Sequence, residues 1–352
     1  MLFIKQLLTV LVLSRTGLGL PASRNGISAR EELASSDAKP RGLVDDLASD
    51  LLSPSPAYFQ TYNFYAEHTL FLESLALAYP GHAVTVNAGY SYQGRPILGI
   101  HIWGKTRGNP AVVIHGNAHA REWISSAVAE YIAYGVLKNA YPGITDNYDL
   151  YIFPIVNPDG YVYTATSNRQ WIKNRQNTGN LCYGVNLDNN WNQEWGTVGV
   201  STNPCSDSYS GASAASSSEV YGLSSFFDSL LGGTGIKMFI NYGAYGQLVL
   251  SPWSYTTTPS PDSAEQLRVG NIIATAMTNQ YGKTYTSGSV AQTTAPTSGT
   301  AVDYVYGVLE VVHSYWIMLR DTGDSAYLLP ANQITPSGKE ALAGLAAAIA
   351  AL

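Results

Sequence analysis

From Tyr58 onward, short apolar runs alternate with longer segments whose apolar residues recur at helical spacing. Residues 97–103, 111–114, 149–155, 237–242, 247–250 and 308–319 are rich in β-branched and aromatic side chains and read as strands. Residues 65–78, 122–140, 218–231 and 262–281 read as helices, as does a last segment opening at Thr335-Pro336, where proline sits in a first turn. Strands alternating with helices predict an α/β fold, a central and largely buried sheet flanked by helices. Ser/Thr/Gly/Pro-rich residues 256–261 and 293–300 read as surface loops, and the chain carries no internal repeat.

Ahead of this region the pattern changes. Residues 20–56 are polar, mixed in charge and broken by Pro40, Pro54 and Pro56, as in a linker or short pro-segment. Residues 1–19 have the form of a secretory signal: Lys5, an apolar core over 7–13, then Gly17-Leu18-Gly19. That core is too short to cross a bilayer. The C-terminal Ala/Leu stretch contains Lys339 and Glu340, which suits the last helix of a soluble domain rather than an anchor. A secreted, monomeric chain with one domain over 57–352 is therefore expected.

Charged residues make up 12% of the 352 residues, about half the usual quarter, with Tyr, Ser, Thr and Gly in their place. The net charge of −6 is spread without basic runs, so neither nucleic acid nor an anionic membrane is an expected partner. The two cysteines, Cys182 and Cys205, lie 23 residues apart. In an exported protein they are expected to pair, closing a loop worth about 3 kcal/mol; two unpaired core thiols are the alternative.

The candidate chemistry centres on His115-Gly116-Asn117-Ala118-His119-Ala120-Arg121-Glu122-Trp123, just after an apolar strand. A His and a Glu three residues apart can turn an imidazole and a carboxylate toward one point, and Zn²⁺ accepts such mixed ligation. The same pattern also serves as a structural histidine beside a solvated glutamate. A catalytic zinc needs a third protein ligand and an open position for water.

Further segments make the resemblance specific. His119-Ala120-Arg121-Glu122-Trp123, Asn157-Pro158-Asp159-Gly160-Tyr161, the 169–175 segment with Trp171 and Lys173, Leu319-Arg320-Asp321-Thr322-Gly323 and Tyr327-Leu328-Leu329-Pro330 stand in one order, with the two cysteines at their 23-residue separation. In this the chain resembles the zinc carboxypeptidases of the A/B type over residues 57–352. The resemblance implies a mixed eight-stranded sheet flanked by helices, removal of C-terminal residues, and a His₂Glu zinc, the ligand set for which carboxypeptidase A is the standard example.

Carried over residue by residue, the resemblance also implies departures. His119 and Glu122 match two zinc ligands, but the second histidine, at a strand end, is replaced by Gly243 in Ile240-Asn241-Tyr242-Gly243-Ala244-Tyr245. None of His68, His82, His101, His115 and His313 maps nearby, and His115 should point away from His119 if its strand alternates. The general base before Leu-Arg-Asp-Thr-Gly is replaced by Met318; Glu310, eight residues earlier on the same strand run, is too distant to substitute. The Asn-Arg clamp on the substrate carboxylate becomes Asp188 and Asn189, which exchanges a bidentate cation for a like charge. Ile172 stands where an arginine would polarise the scissile carbonyl, and Ala295 where a mobile tyrosine would cover substrate. Arg121, Tyr245 and Val302 persist as substrate-binding remnants, the last implying an apolar specificity pocket.

Two functions follow from the resemblance. The favoured one is a secreted, catalytically inactive carboxypeptidase A-like protein, binding zinc weakly or not at all and serving a peptide or protein ligand. The alternative is an active zinc carboxypeptidase that releases apolar C-terminal residues. The polar stretch before Tyr58 is too short for the globular inhibitory pro-region of such precursors, and an inactive protein would not need one.

Overall fold

The computed structural model describes residues 54–179 and 181–352. The expected signal at 1–19 and residues 20–53 of the polar segment lie outside the described residues. The first described element is a 3₁₀ turn, Pro56–Gln60, capped by Ser55 with Pro at its start.

The helices are α1 (Tyr65–Ala78), α2 (Trp123–Leu137), α3 (Pro158–Thr166), α4 (Ser218–Leu231), α5 (Ser263–Tyr281), α6 (Val290–Thr293), α7 (Ala301–Gly307) and α8 (Ile334–Ala351). The strands are β1 (Ala83–Tyr90), β2 (Pro96–Ile102), β3 (Ala111–Gly116), β4 (Asp149–Phe153), β5 (Ile236–Ala244), β6 (Leu248–Ser251), β7 (Thr286–Ser289) and β8 (His313–Leu319). They form one eight-stranded sheet in the order β1-β2-β4-β3-β5-β8-β6-β7. The centre, β4-β3-β5-β8, is parallel; β1, β2 and β6 join antiparallel to their inner neighbours. This mixed sheet between helical layers is the expected α/β fold.

Side chains on the central strands alternate between two cores. Met238, Ile240, Tyr242 and Ala244 of β5, with Tyr315, Ile317 and Leu319 of β8, pack in the core shared with α1, α2, α5 and α8. Phe239 faces the opposite core, where Trp316 and Met318 also pack, with Trp191, Val302 and residues of α4. The β5–β8 register sets Gly243 beside Met318 and Asn241 beside Trp316. All four therefore share one face of the sheet, near the carboxyl ends of β5 and β8. In open α/β sheets that is where ligand crevices form.

One strand expectation fails at its start. Residues 308–319 do not form a single strand: Val308 caps α7, Glu310 has φ of +56°, and β8 begins only at His313. Glu310 is exposed and off the strand. The error has a physical source, because Val308-Leu309 and Val311-Val312 supply β-branched, apolar residues to a helix exit and a turn.

Candidate active site

The loop from β3 to α2 carries the first two candidate residues. Asn117, at φ +58°, turns the chain, and its side-chain amide donates to the carbonyls of Ala120 and Glu122 at 3.3 Å and of His119 at 3.4 Å. Ser125 Oγ donates to the Glu122 carbonyl at 2.6 Å and accepts from Asn117 N at 2.9 Å. These bonds fasten Glu122 at the N-cap position of α2, with both its side chain and His119 buried.

His119 Nδ1 lies 2.9 Å from Glu122 Oε1, and Nε2 lies 3.1 Å from Asn186 Oδ1. Glu122 Oε2 accepts from Ala244 N at 3.0 Å. Asp188, in the 3₁₀ turn Leu187–Asn189, faces the same imidazole and accepts from Asn241 Nδ2 at 3.0 Å. Burial works against a charge on His119, but the carboxylates of Glu122 and Asp188 outweigh it and lift the imidazole to about 9. Burial raises Asp188, with His119 and Asn241 pulling the other way. With Nδ1 facing the Glu122 carboxylate and Nε2 the Asn186 amide oxygen, both ring nitrogens are placed to donate, which fits an imidazolium.

The third expected ligand position contributes no donor. A Cβ on Gly243 would lie 2.6 Å from Trp316 Nε1 and 3.0 Å from Glu122 Oε2. Among the described residues no group of three or more His, Cys, Asp or Glu is placed to hold a metal ion. The other histidines are engaged elsewhere or face away: His68 bonds Glu130 and Tyr161, His82 bonds the Gly104 carbonyl, His101 bonds Asp149, His313 lies 3.9 Å from Glu265, and His115 sits against Phe239 with no hydrogen-bond partner among the described residues on either ring nitrogen. The residues present do not fit a three-ligand zinc.

Around this pair the remaining candidates sit where the fold requires packing. Met318 is half-buried beside Gly243, and Ile172 is buried, its carbonyl accepting from Ala120 N at 2.9 Å. Asn189 Nδ2 donates to Thr297 Oγ1 at 2.8 Å and to the Ser298 carbonyl at 3.2 Å, so it ties down a loop instead of projecting outward. Val302 is 1% exposed, and its carbonyl accepts from Ser314 Oγ. Ala295 is exposed. Tyr245 packs edge-on to Tyr327, whose ring also stacks under the Arg121 guanidinium at 3.8 Å. Cys182 and Cys205 form a disulfide, closing the loop that contains residues 184–191.

Three side chains in the cluster were not candidates from the sequence: Asn186, on a loop, and Asn241 and Trp316, on strands. For the last two, strand alternation carried the signal, since positions 241, 243, 316 and 318 must share a face once 243 and 318 are paired.

A profile of the zinc carboxypeptidase family matches residues 69–344. The chain belongs to the zinc carboxypeptidase family. It is 41% identical over 309 residues to a metallocarboxypeptidase A of Arthroderma otae, covering 85% of this chain and 73% of that protein. A zinc carboxypeptidase of Simulium vittatum is 37% identical over 284 residues, covering 79% and 92% respectively. Among solved structures, bovine thrombin-activatable fibrinolysis inhibitor in complex with tick carboxypeptidase inhibitor superposes with a TM-score of 0.79 at 31% identity, covering 83% of this chain and 98% of that one. Carboxypeptidase A from Helicoverpa armigera shares the fold, with a TM-score of 0.78 at 24% identity over 99% of this chain and 86% of that one. This chain is thus a carboxypeptidase A-like member of that family.

Proposed function

We propose that this protein is a secreted carboxypeptidase A-like binding protein without peptidase turnover, holding zinc loosely if at all and engaging a peptide or protein ligand as a monomer. The observation that carries this is the pairing of Gly243 with Met318 across β5 and β8; the family resemblance makes these the third-ligand and general-base positions, and neither side chain can bind metal as a histidine would or accept a proton. Ile172 adds an apolar side chain where the carbonyl would be polarised. Loss of a general base costs about 10²–10⁴-fold, and loss of one electrostatic stabiliser about 10²–10³-fold. The signal-like residues 1–19 support export, and no described helix is long and apolar enough to cross a membrane.

An active zinc carboxypeptidase is the second reading. It is favoured by the relatives at about 40% identity that are named metallocarboxypeptidase A, and by the retained His119–Glu122 pair.

Elemental analysis after dialysis, combined with hydrolysis of a blocked dipeptide ending in Phe or Leu, separates the two. The expected result is well under one zinc per chain and no measurable release of the terminal residue. Stoichiometric zinc with hydrolysis abolished by Glu122→Ala would establish the active enzyme instead.

A further inference from the structure

We infer that the indole of Trp316 bars metal from this site: it stands in the space into which a third ligand from position 243 would project, so the centre is closed by packing as well as by a missing donor. The inference rests on the proposed loss of zinc binding and names what enforces it.

Trp316 lies two residues before Met318 on β8, opposite Asn241 of β5 and Leu250 of β6. Strand alternation turns it to the same face as Gly243 and Met318. Its ring leans over Gly243, so that a Cβ there would meet Nε1 at 2.6 Å and Cδ1 at 3.5 Å. Real Cβ atoms do not approach heavy atoms to 2.6 Å, and an imidazole would need room beyond the Cβ. The same indole stands edge-on to His119, with ring centroids 6.2 Å apart. It is therefore packed against both the expected third-ligand position and the first ligand.

Glycine and tryptophan here are complementary. Gly243 leaves the strand surface flat, and the large ring covers it. Such small-to-large pairs are coupled, because enlarging one member without reducing the other overpacks the site. A histidine returned to position 243 should consequently fail as a ligand while Trp316 remains, and succeed only when the ring is removed.

The test uses the full chain and four proteins: wild type, Gly243→His, Trp316→Ala and the double variant. Each is titrated calorimetrically with zinc chloride, and its thermal midpoint is measured in chelator. Gly243→His is expected to melt below wild type and to gain less than tenfold in zinc affinity. The double variant is expected to recover part of the lost midpoint and to bind one zinc per chain at least a hundredfold more tightly than Gly243→His. Equal affinity in the single and double variants would overturn the inference, as would a folded double variant no tighter than the single. Should Gly243→His be too unstable to titrate, the midpoints decide: a double variant that melts no higher than Gly243→His contradicts the steric conflict. Stoichiometric zinc on the wild type would instead defeat the proposed function, while the single-against-double comparison would still judge Trp316.

Discussion

At the scale of single residues, His115 shows what burial does to a titratable group. It lies on β3, 1% exposed, with Phe239 at 4.7 Å and Trp191 at 6.4 Å between ring centroids and, among the described residues, no hydrogen-bond partner on either nitrogen. Burial pushes it down from 6.5 to about 3. Between those values the unfolded chain binds a proton that the folded chain refuses, so stability is lost as pH falls through that window. His115→Phe keeps an aromatic ring and removes the proton site. At pH 5 the variant is expected to gain about 2 kcal/mol over wild type beyond any difference at pH 8, measured by urea unfolding at both values. A difference independent of pH would show that His115 finds a partner for its charge. The orientation itself was legible in the sequence, because strict alternation separates 115 from the loop that follows; the absence of a hydrogen-bond partner was not, since it depends on what β5 and residues 187–191 bring against it.

At the scale of elements, α2 and α8 approach closely through small residues. A Cβ on Gly338 would lie 2.4–2.8 Å from atoms of Tyr131, and one on Gly135 would lie 2.5 Å from Leu342. Replacing an interior helical glycine by alanine ordinarily gains about 1 kcal/mol of helix propensity. Here the overpacking cost of about 1–3 kcal/mol opposes that gain. Gly338→Ala is expected to lower stability, whereas Gly232→Ala at the exposed end of α4, where the nearest atom would be 3.5 Å away, should be close to neutral. Chemical denaturation of the two variants reads the difference, and stabilisation by Gly338→Ala would show that Tyr131 yields. Helices α1 and α4 stand where the sequence suggested them. Strand β7, Thr-Ser-Gly-Ser, was not legible there, because an outermost polar strand carries no apolar alternation and exists only by pairing with β6.

At the scale of the whole molecule, two tertiary links join distant parts of the chain. Arg320, just after β8, places its guanidinium on Glu340 of α8, with Nε to Oε2 at 2.8 Å and a further bond from Nη1 to Gln333 at 2.7 Å. Glu340 is fully buried and Arg320 nearly so. Removing one partner leaves the other charge buried and unpaired, so Glu340→Gln should cost about 3–5 kcal/mol in denaturant titration. A cost under 1 kcal/mol would mean that water reaches the guanidinium. The second link is Cys182–Cys205, 23 residues apart. Its loop holds Asn186, Asp188 and Asn189, so reduction should cost about 3 kcal/mol, and labelling of unfolded, unreduced protein should find no free thiol.

The sequence by itself determined the α/β class, the family and the approximate positions of the main helices, and it offered His119 and Glu122 as candidate ligands, because each is written in local motifs. It also showed Gly243, Met318 and Ile172 where donors were expected, since a residue's identity needs no coordinates. Only the tertiary structure decided that 243 and 318 stand side by side, that Asn186 and Asp188 close around His119, and that Trp316 lies over Gly243. Those relations come from the register of parallel strands separated by about seventy residues of chain, and from rotamers chosen by packing. Neither leaves a mark on local sequence, because each depends on which distant strand becomes the neighbour.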